Sequence, residues 1–135
     1  MEDIPENFVG SRDWIGSVEV ELVLDQFCDV PCKIFHSRSG RELENVFDQV
    51  EEHFRCRKCP IMMGGNLDCS SKGIFGACRT ISEKYFLLID PHFGRTSISE
   101  ITAEELVSQG WAQWVLLENF NNRSFYNLCL PQVSL

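Results

Sequence analysis

The sequence has no apolar run approaching the roughly 20 residues that a bilayer-spanning helix needs. Its first residues, Met1-Glu-Asp-Ile-Pro5, are acidic and contain no apolar h-region, so a secretory signal is not expected. Basic residues are scarce: 12 Lys and Arg stand against 20 Asp and Glu, for a formal net charge of −8. Tracking a phosphate backbone requires clustered cations, and none are clustered here. Nucleic acid is therefore not expected as a partner, nor is direct insertion into a membrane. The acidity favours solubility and can steer a basic partner. There is no internal repeat, no low-complexity segment and no linker, so residues 1–135 read as a single domain. A chain of this length can bury a core without staples.

Seven cysteines are present, and an odd number does not close a disulfide framework. With no export signal they read as reduced thiols in a cytoplasmic protein. Cys78 and Cys129 lie inside apolar runs, where a thiol acts as a small hydrophobe.

Periodicity predicts an α+β fold. Ser11 or Asp13 can cap a first helix carrying Trp14, Ile15, Val18, Leu22 and Phe27 at mostly helical spacing, and Pro31 ends that region. Cys32 to Phe35 is a short strand. After a turn over residues 37–40, Leu43, Val46, Phe47, Val50 and Phe54 make one apolar stripe of a second helix. Glu42, Glu44, Asp48 and Glu51 cover much of its other face as a solvated surface. Ile61-Met-Met63 is a strand ending at Gly64-Gly65. Gly73 to Thr80 and Tyr85 to Asp90 flank a polar turn as a hairpin. Thr102-x-x-Glu105 is a capping box, with Gly110 placed to stop a short helix. Trp111 to Leu117 and Phe125 to Leu130 are the last strands. The expected sum is a mixed or antiparallel sheet of about five strands with two longer helices and one short one.

Chemistry concentrates at Tyr85-Phe-Leu-Leu-Ile-Asp-Pro-His92, a hydrophobic strand with an acid and an imidazole at its end. Residues i and i+2 of a strand share a side, which would set Asp90 and His92 roughly 6–7 Å apart along it. A carboxylate so placed can orient an imidazole, and the imidazole can then take a proton from a thiol. Taken alone, the tripeptide more often marks a strand end followed by a surface turn. A second reading is metal: His53-x-x-Cys56-x-x-Cys59 resembles half of a zinc site, but the remaining candidates, Cys69 and Cys78, stand nine positions apart. Gly64-Gly65 lacks the Lys-Ser/Thr of a phosphate loop and reads as a point of close backbone approach or positive φ. Trp111 and Trp114 are expected in the core, and His36 is expected to be structural. No cofactor and no metal are expected.

Five stretches occur together: Gly10-Ser-Arg-Asp-Trp-Ile-Gly16, Pro60-Ile-Met-Met-Gly-Gly65, Leu88-Ile-Asp-Pro-His92, Gly110-Trp-Ala-Gln-Trp114 and Ser124-Phe-Tyr-Asn-Leu-Cys-Leu130. In type and order they resemble the ubiquitin-fold modifier 1 specific proteases, the smaller of the two family types, from Phe8 onward. The resemblance implies an incomplete papain-like cysteine protease fold and a thiol protease that cleaves after the modifier's C-terminal glycine, maturing its precursor and releasing it from conjugates. It matches Asp90 and His92 to the catalytic acid and base. In the family, the nucleophilic cysteine lies ahead of the first stretch in a Trp-Gly-Cys context. Here all seven cysteines lie behind it, none with matching neighbours. The chain as given is thus expected to be inactive as a protease. The alternatives are a non-catalytic, modifier-binding pseudoprotease and a zinc-bound interaction domain. Without the nucleophile helix, one face of the sheet is expected to expose an apolar patch.

Overall fold

The computed structural model describes residues 7, 10–12, 15–67, 71–91 and 101–134. Helix α1 spans Ser17–Cys28. It starts later than Ser11 or Asp13 would cap it: the Gly16 N–H donates to the Glu19 carboxylate at 2.8 Å. The chain leaves α1 through Asp29, whose φ of 54° is tolerated because a short polar side chain costs little in the left-handed region. Pro31 then leads into strand β1, Cys32–Ser37.

The second helical region begins differently from the expected continuous α-helix. Gly40–Val46 winds as a 3₁₀-helix, and α2 covers Phe47–Arg57. In a 3₁₀-helix, residues three apart lie on one face, so Gly40, Leu43 and Val46 are all buried there. Gly40 anchors the entry. Its N–H donates to Asn121 O at 3.1 Å, and a Cβ at this position would lie 2.5 Å from the Phe120 carbonyl oxygen. One apolar stripe thus serves two windings.

Strands β2 (Ile61–Gly65), β3 (Lys72–Arg79), β4 (Lys84–Ile89), β5 (Ala112–Leu116) and β6 (Tyr126–Pro131) complete the sheet. The short helix α3 spans Ala103–Ser108. The sheet has six strands, in the order β1-β6-β2-β3-β4-β5. Every neighbouring pair is antiparallel. On one face Ile61, Met63, Ile74, Phe86, Leu88, Tyr126, Leu128 and Leu130 pack against Leu43, Val46, Phe47 and Val50. The Phe47 ring stacks on Phe86 with centroids 5.6 Å apart. Its other side is capped by Arg79 and Lys84 at 5.1 and 5.3 Å. Asp48 and Glu51 hold the first of those cations, and Glu44 the second.

On the opposite face, pairing register aligns Ile34, Cys129, Met62, Gly73, Ile89 and Ala112 in one row across all six strands. Helix α1 packs on β6, β1 and β2 and α3 touches β5, while among the described residues no helix makes comparable contact with this face of β3 and β4. A bulge between Ile74 and Gly76 carries Phe75 on this side, where Phe75 is 47% and Trp114 54% exposed. Gly76 lies under the Trp114 ring, and a Cβ there would sit 3.3 Å from it. The expected apolar patch is therefore present, while Trp114 is not the core residue its type suggested. Phe27 and Cys78 are also exposed rather than packed. Among the described residues, no helix is long and apolar enough to cross a membrane.

Candidate active site

Asp90 directly follows β4, which ends at Ile89 rather than at Asp90 as expected. Its position is set by the helix-to-strand turn beside it. The Thr102 hydroxyl accepts from the Glu105 N–H at 3.2 Å, and the Glu105 carboxylate accepts from the Thr102 N–H at 3.0 Å, closing the predicted capping box. Helix α3 is then stopped by a Schellman arrangement: Gly110 N–H donates to Val107 O and Trp111 N–H to Leu106 O, at 3.1 and 2.9 Å. Gly110 has φ +79°, which turns the chain so that Trp111 O accepts the Asp90 N–H at 2.9 Å. Gly110→Ala is expected to cost about 1–2 kcal/mol, the strain of a left-handed non-glycine residue. Thermal denaturation reads the loss, and slower amide exchange at Asp90 in the variant would contradict this role for the turn. Pro91 lies in an exposed turn. His92 lies outside the described residues, so its expected place beside Asp90 stays a sequence inference.

The same end of the sheet gathers the other stretches. Gly64 pairs with Asn127 and Gly65 with Tyr126. Close approach, not positive φ, requires the second glycine: a Cβ on Gly65 would stand 3.1 Å from Phe125 O and from the Tyr126 ring. Ser17, at the start of α1 and only 4% exposed, donates to Asn127 O at 3.1 Å. Asn66 Oδ1 accepts from Ser124 Oγ at 3.0 Å and from the Phe125 N–H at 2.9 Å. His36 does not stand alone among apolar neighbours. It is exposed, its Nδ1 meets Asn127 Oδ1, and its ring tilts on Phe125 with centroids 5.5 Å apart. Ser17, His36 and Asn127 were not singled out by sequence reasoning as a group. The available signal was a polar Asn127 inside an otherwise apolar strand.

None of the described cysteines sits where Asp90 could serve it. Cys129 shares a row with Ile89 but lies three strands away, roughly 14 Å at ordinary strand spacing. It is fully buried, and burial pushes its thiol well above the usual range. Burial also raises Cys32 and Cys59. Cys78 pairs with Tyr85 at the far end of the β3–β4 ladder. Cys69 lies outside the described residues.

Among the described residues the zinc set does not assemble. His53 Nε2 meets Cys59 Sγ at 3.3 Å and Cys59 O at 3.1 Å, but Cys56 is exposed and donates to Glu52 at 3.0 Å. Among the described residues, no three His, Cys, Asp or Glu side chains are grouped to hold a metal. His53 is 5% exposed, and its pKa is lowered, chiefly by burial. The unfolded chain then binds a proton more readily at this residue than the folded one. The stabilising effect is complete above about pH 6.5 and is lost as pH falls below that value. Melting temperature should drop between pH 7 and 5.5, and His53→Asn should flatten the slope. An unchanged slope in the variant would assign it to other groups.

A family model described as peptidase family C78 matches residues 1–129. Ufm1-specific protease 1 of Mus musculus is 37% identical over 134 residues, which take in 98% of this chain and 60% of the mouse protein. Ufm1-specific protease 2 of Homo sapiens is 35% identical over 132 residues, 96% of this chain and 27% of the human one. The crystal structure of UfSP from C. elegans superposes with a TM-score of 0.78 at 31% identity, covering 93% of this chain and 23% of that one. The chain thus spans between 21% and 60% of the length of these and similar curated relatives.

Proposed function

The chain belongs to peptidase family C78, and on that premise we propose that it recognises ubiquitin-fold modifier 1 through the Asp90 end of its sheet and holds the acid and base of a thiol hydrolysis without the nucleophile. Asp90 is the carboxylate that orients an imidazole, and His92 is the imidazole that takes a thiol proton and returns it to the leaving amine. The observation that carries this reading is convergence. Four of the five stretches that resemble the family meet in two pairs of contacts at the same end of the sheet, Trp111 with Asp90 and Gly64 with Asn127, with β3 between the pairs. The first stretch leads directly into Ser17, which bonds Asn127.

Acid–base assistance needs a group to activate. Burial raises the thiols of Cys129, Cys32 and Cys59, which disfavours the nucleophilic thiolate, and none of the described cysteines sits where Asp90 could serve it. On this reading these 135 residues by themselves bind the modifier without cutting it. The reactions named for the family, precursor maturation and deconjugation, require a thiolate, and among the described residues no cysteine lies beside Asp90. No cofactor enters such chemistry.

Affinity for the modifier's C-terminal tail tests the location of the site. Fluorescence anisotropy with labelled mature modifier should show binding that weakens at least about tenfold when the tail with its C-terminal glycine is removed, because recognition of a peptidase substrate concentrates around the scissile bond. Equal affinity for the truncated form would place recognition elsewhere on the chain.

A further inference from the structure

Strand β1 is an outer strand of the sheet, and α2 does not extend over it. Lys33 pairs with Leu130 and Phe35 with Leu128, so both β1 side chains belong to the face that α2 covers further in. Between β1 and α2 lies a cavity of about 440 Å³. Phe35 and Leu130 form its apolar floor, and His53 on α2 forms part of its wall.

Two cations and two acids line this groove, and they differ in how they are already paired. Asp48 and Glu52 also line it, but each already has a cation: Arg79 for Asp48 and Arg55 for Glu52. Arg57 donates through Nη1 to a neutral acceptor, Val133 O, at 3.1 Å. Among the described residues, neither Lys33 nor Arg57 has an ion pair. In a chain with a net charge of −8, two uncompensated cations thus face one groove. Register and the Val133 contact put them at the same end, where β6 gives way to Gln132.

We propose that this groove docks an acidic peptide segment, seating one apolar side chain on Phe35 and Leu130 and one carboxylate between Lys33 and Arg57. Charge complementarity selects the partner. A segment bearing a carboxylate gains the two cations, whereas a basic one meets them without relief. The floor requires an apolar residue next to the acid, and a site lined this way binds by burying that side chain while the charges fix its orientation. The outer edge of β1, unpaired among the described residues, offers backbone donors and acceptors to an extended chain. An inward-pointing lysine on an edge strand also discourages pairing with other strands, and that role alone would explain Lys33. It does not explain Arg57 or the apolar floor beside it. The groove lies on the face of the sheet opposite α1 and is independent of the modifier site.

The test uses an acetylated, amidated pentapeptide, Ala-Leu-Glu-Glu-Ala, titrated into the isotope-labelled chain. Saturable shifts are expected at the amides of Phe35, His53 and Leu130. Lys33→Glu should weaken binding roughly tenfold, the scale of reversing one member of a half-desolvated charge pair. Lys33 is exposed and has no ion pair among the described residues, so this variant is expected to keep the parent spectrum elsewhere. Arg57→Gln is the second variant and should weaken binding as well. A peptide with lysines in place of the glutamates should not bind. Absence of saturable shifts at these residues, shifts confined to the Phe75–Trp114 face, or equal affinity in both variants would overturn the proposal.

Discussion

Replacing Phe47 by alanine is expected to remove about 3–5 kcal/mol of stability, the largest loss predicted for any single side chain here. The ring is completely buried, stacks on Phe86 and carries Arg79 and Lys84 on its outer side. Its removal leaves a void beneath two cations and frees the residue that joins the 3₁₀ stretch to α2. Domains of this size are stable by only about 5–15 kcal/mol in total, and the open half of the sheet argues for the lower part of that range. Urea titration should show a sharply lowered midpoint or no cooperative transition. Phe47→Leu, which keeps most of the volume, should cost far less. A parent-like midpoint for Phe47→Ala would mean that α2 is not held through this ring.

The second large effect concerns association. Phe75 and Trp114 present an apolar surface on β3 to β5 that nothing in the described residues covers. Contiguous exposed apolar surface marks a site of interaction or aggregation. The chain is expected to bind an environment-sensitive dye and to self-associate with rising concentration. Phe75→Ser combined with Trp114→Ser should suppress both. Because each side chain is about half exposed already, the cost to the fold should stay near 1 kcal/mol per site, below that of a core truncation. Sedimentation velocity distinguishes the outcomes. A monodisperse parent chain that does not bind the dye would contradict this view of the open face.

Much of the fold is written in local pattern. The apolar stripe from Leu43 to Phe54, the hairpin around residues 80–84, and the box at Thr102 with its stop at Gly110 all follow from spacing and backbone preference, and the structure contains each. What local pattern did not convey is which part of the sheet each helix covers. Trp114 and Phe75 alternate like core residues, yet α1 sits over β6, β1 and β2, and they stay exposed. The 3₁₀ winding before Phe47 was hidden for a related reason: period three and period 3.6 share the same first apolar positions, and the choice is made by Gly40 packing against the Phe120 carbonyl. At the site, Asp90 was legible as an acid at a strand end. Its anchor on Trp111 O and the meeting of Ser17, His36 and Asn127 depend on strand pairing across 21 to 110 residues of sequence, which no local window contains.

These residues are proposed to engage ubiquitin-fold modifier 1 without hydrolysing it. This is tested most directly by adding the purified chain to isotope-labelled precursor modifier that still bears its C-terminal extension, and following the amide spectrum over hours. The predicted result is saturable movement of the tail resonances around the C-terminal glycine with the extension remaining attached. The appearance of a free C-terminal glycine resonance would show a working nucleophile, and an unchanged spectrum at saturating chain would show that the Asp90 end of the sheet does not recognise the modifier.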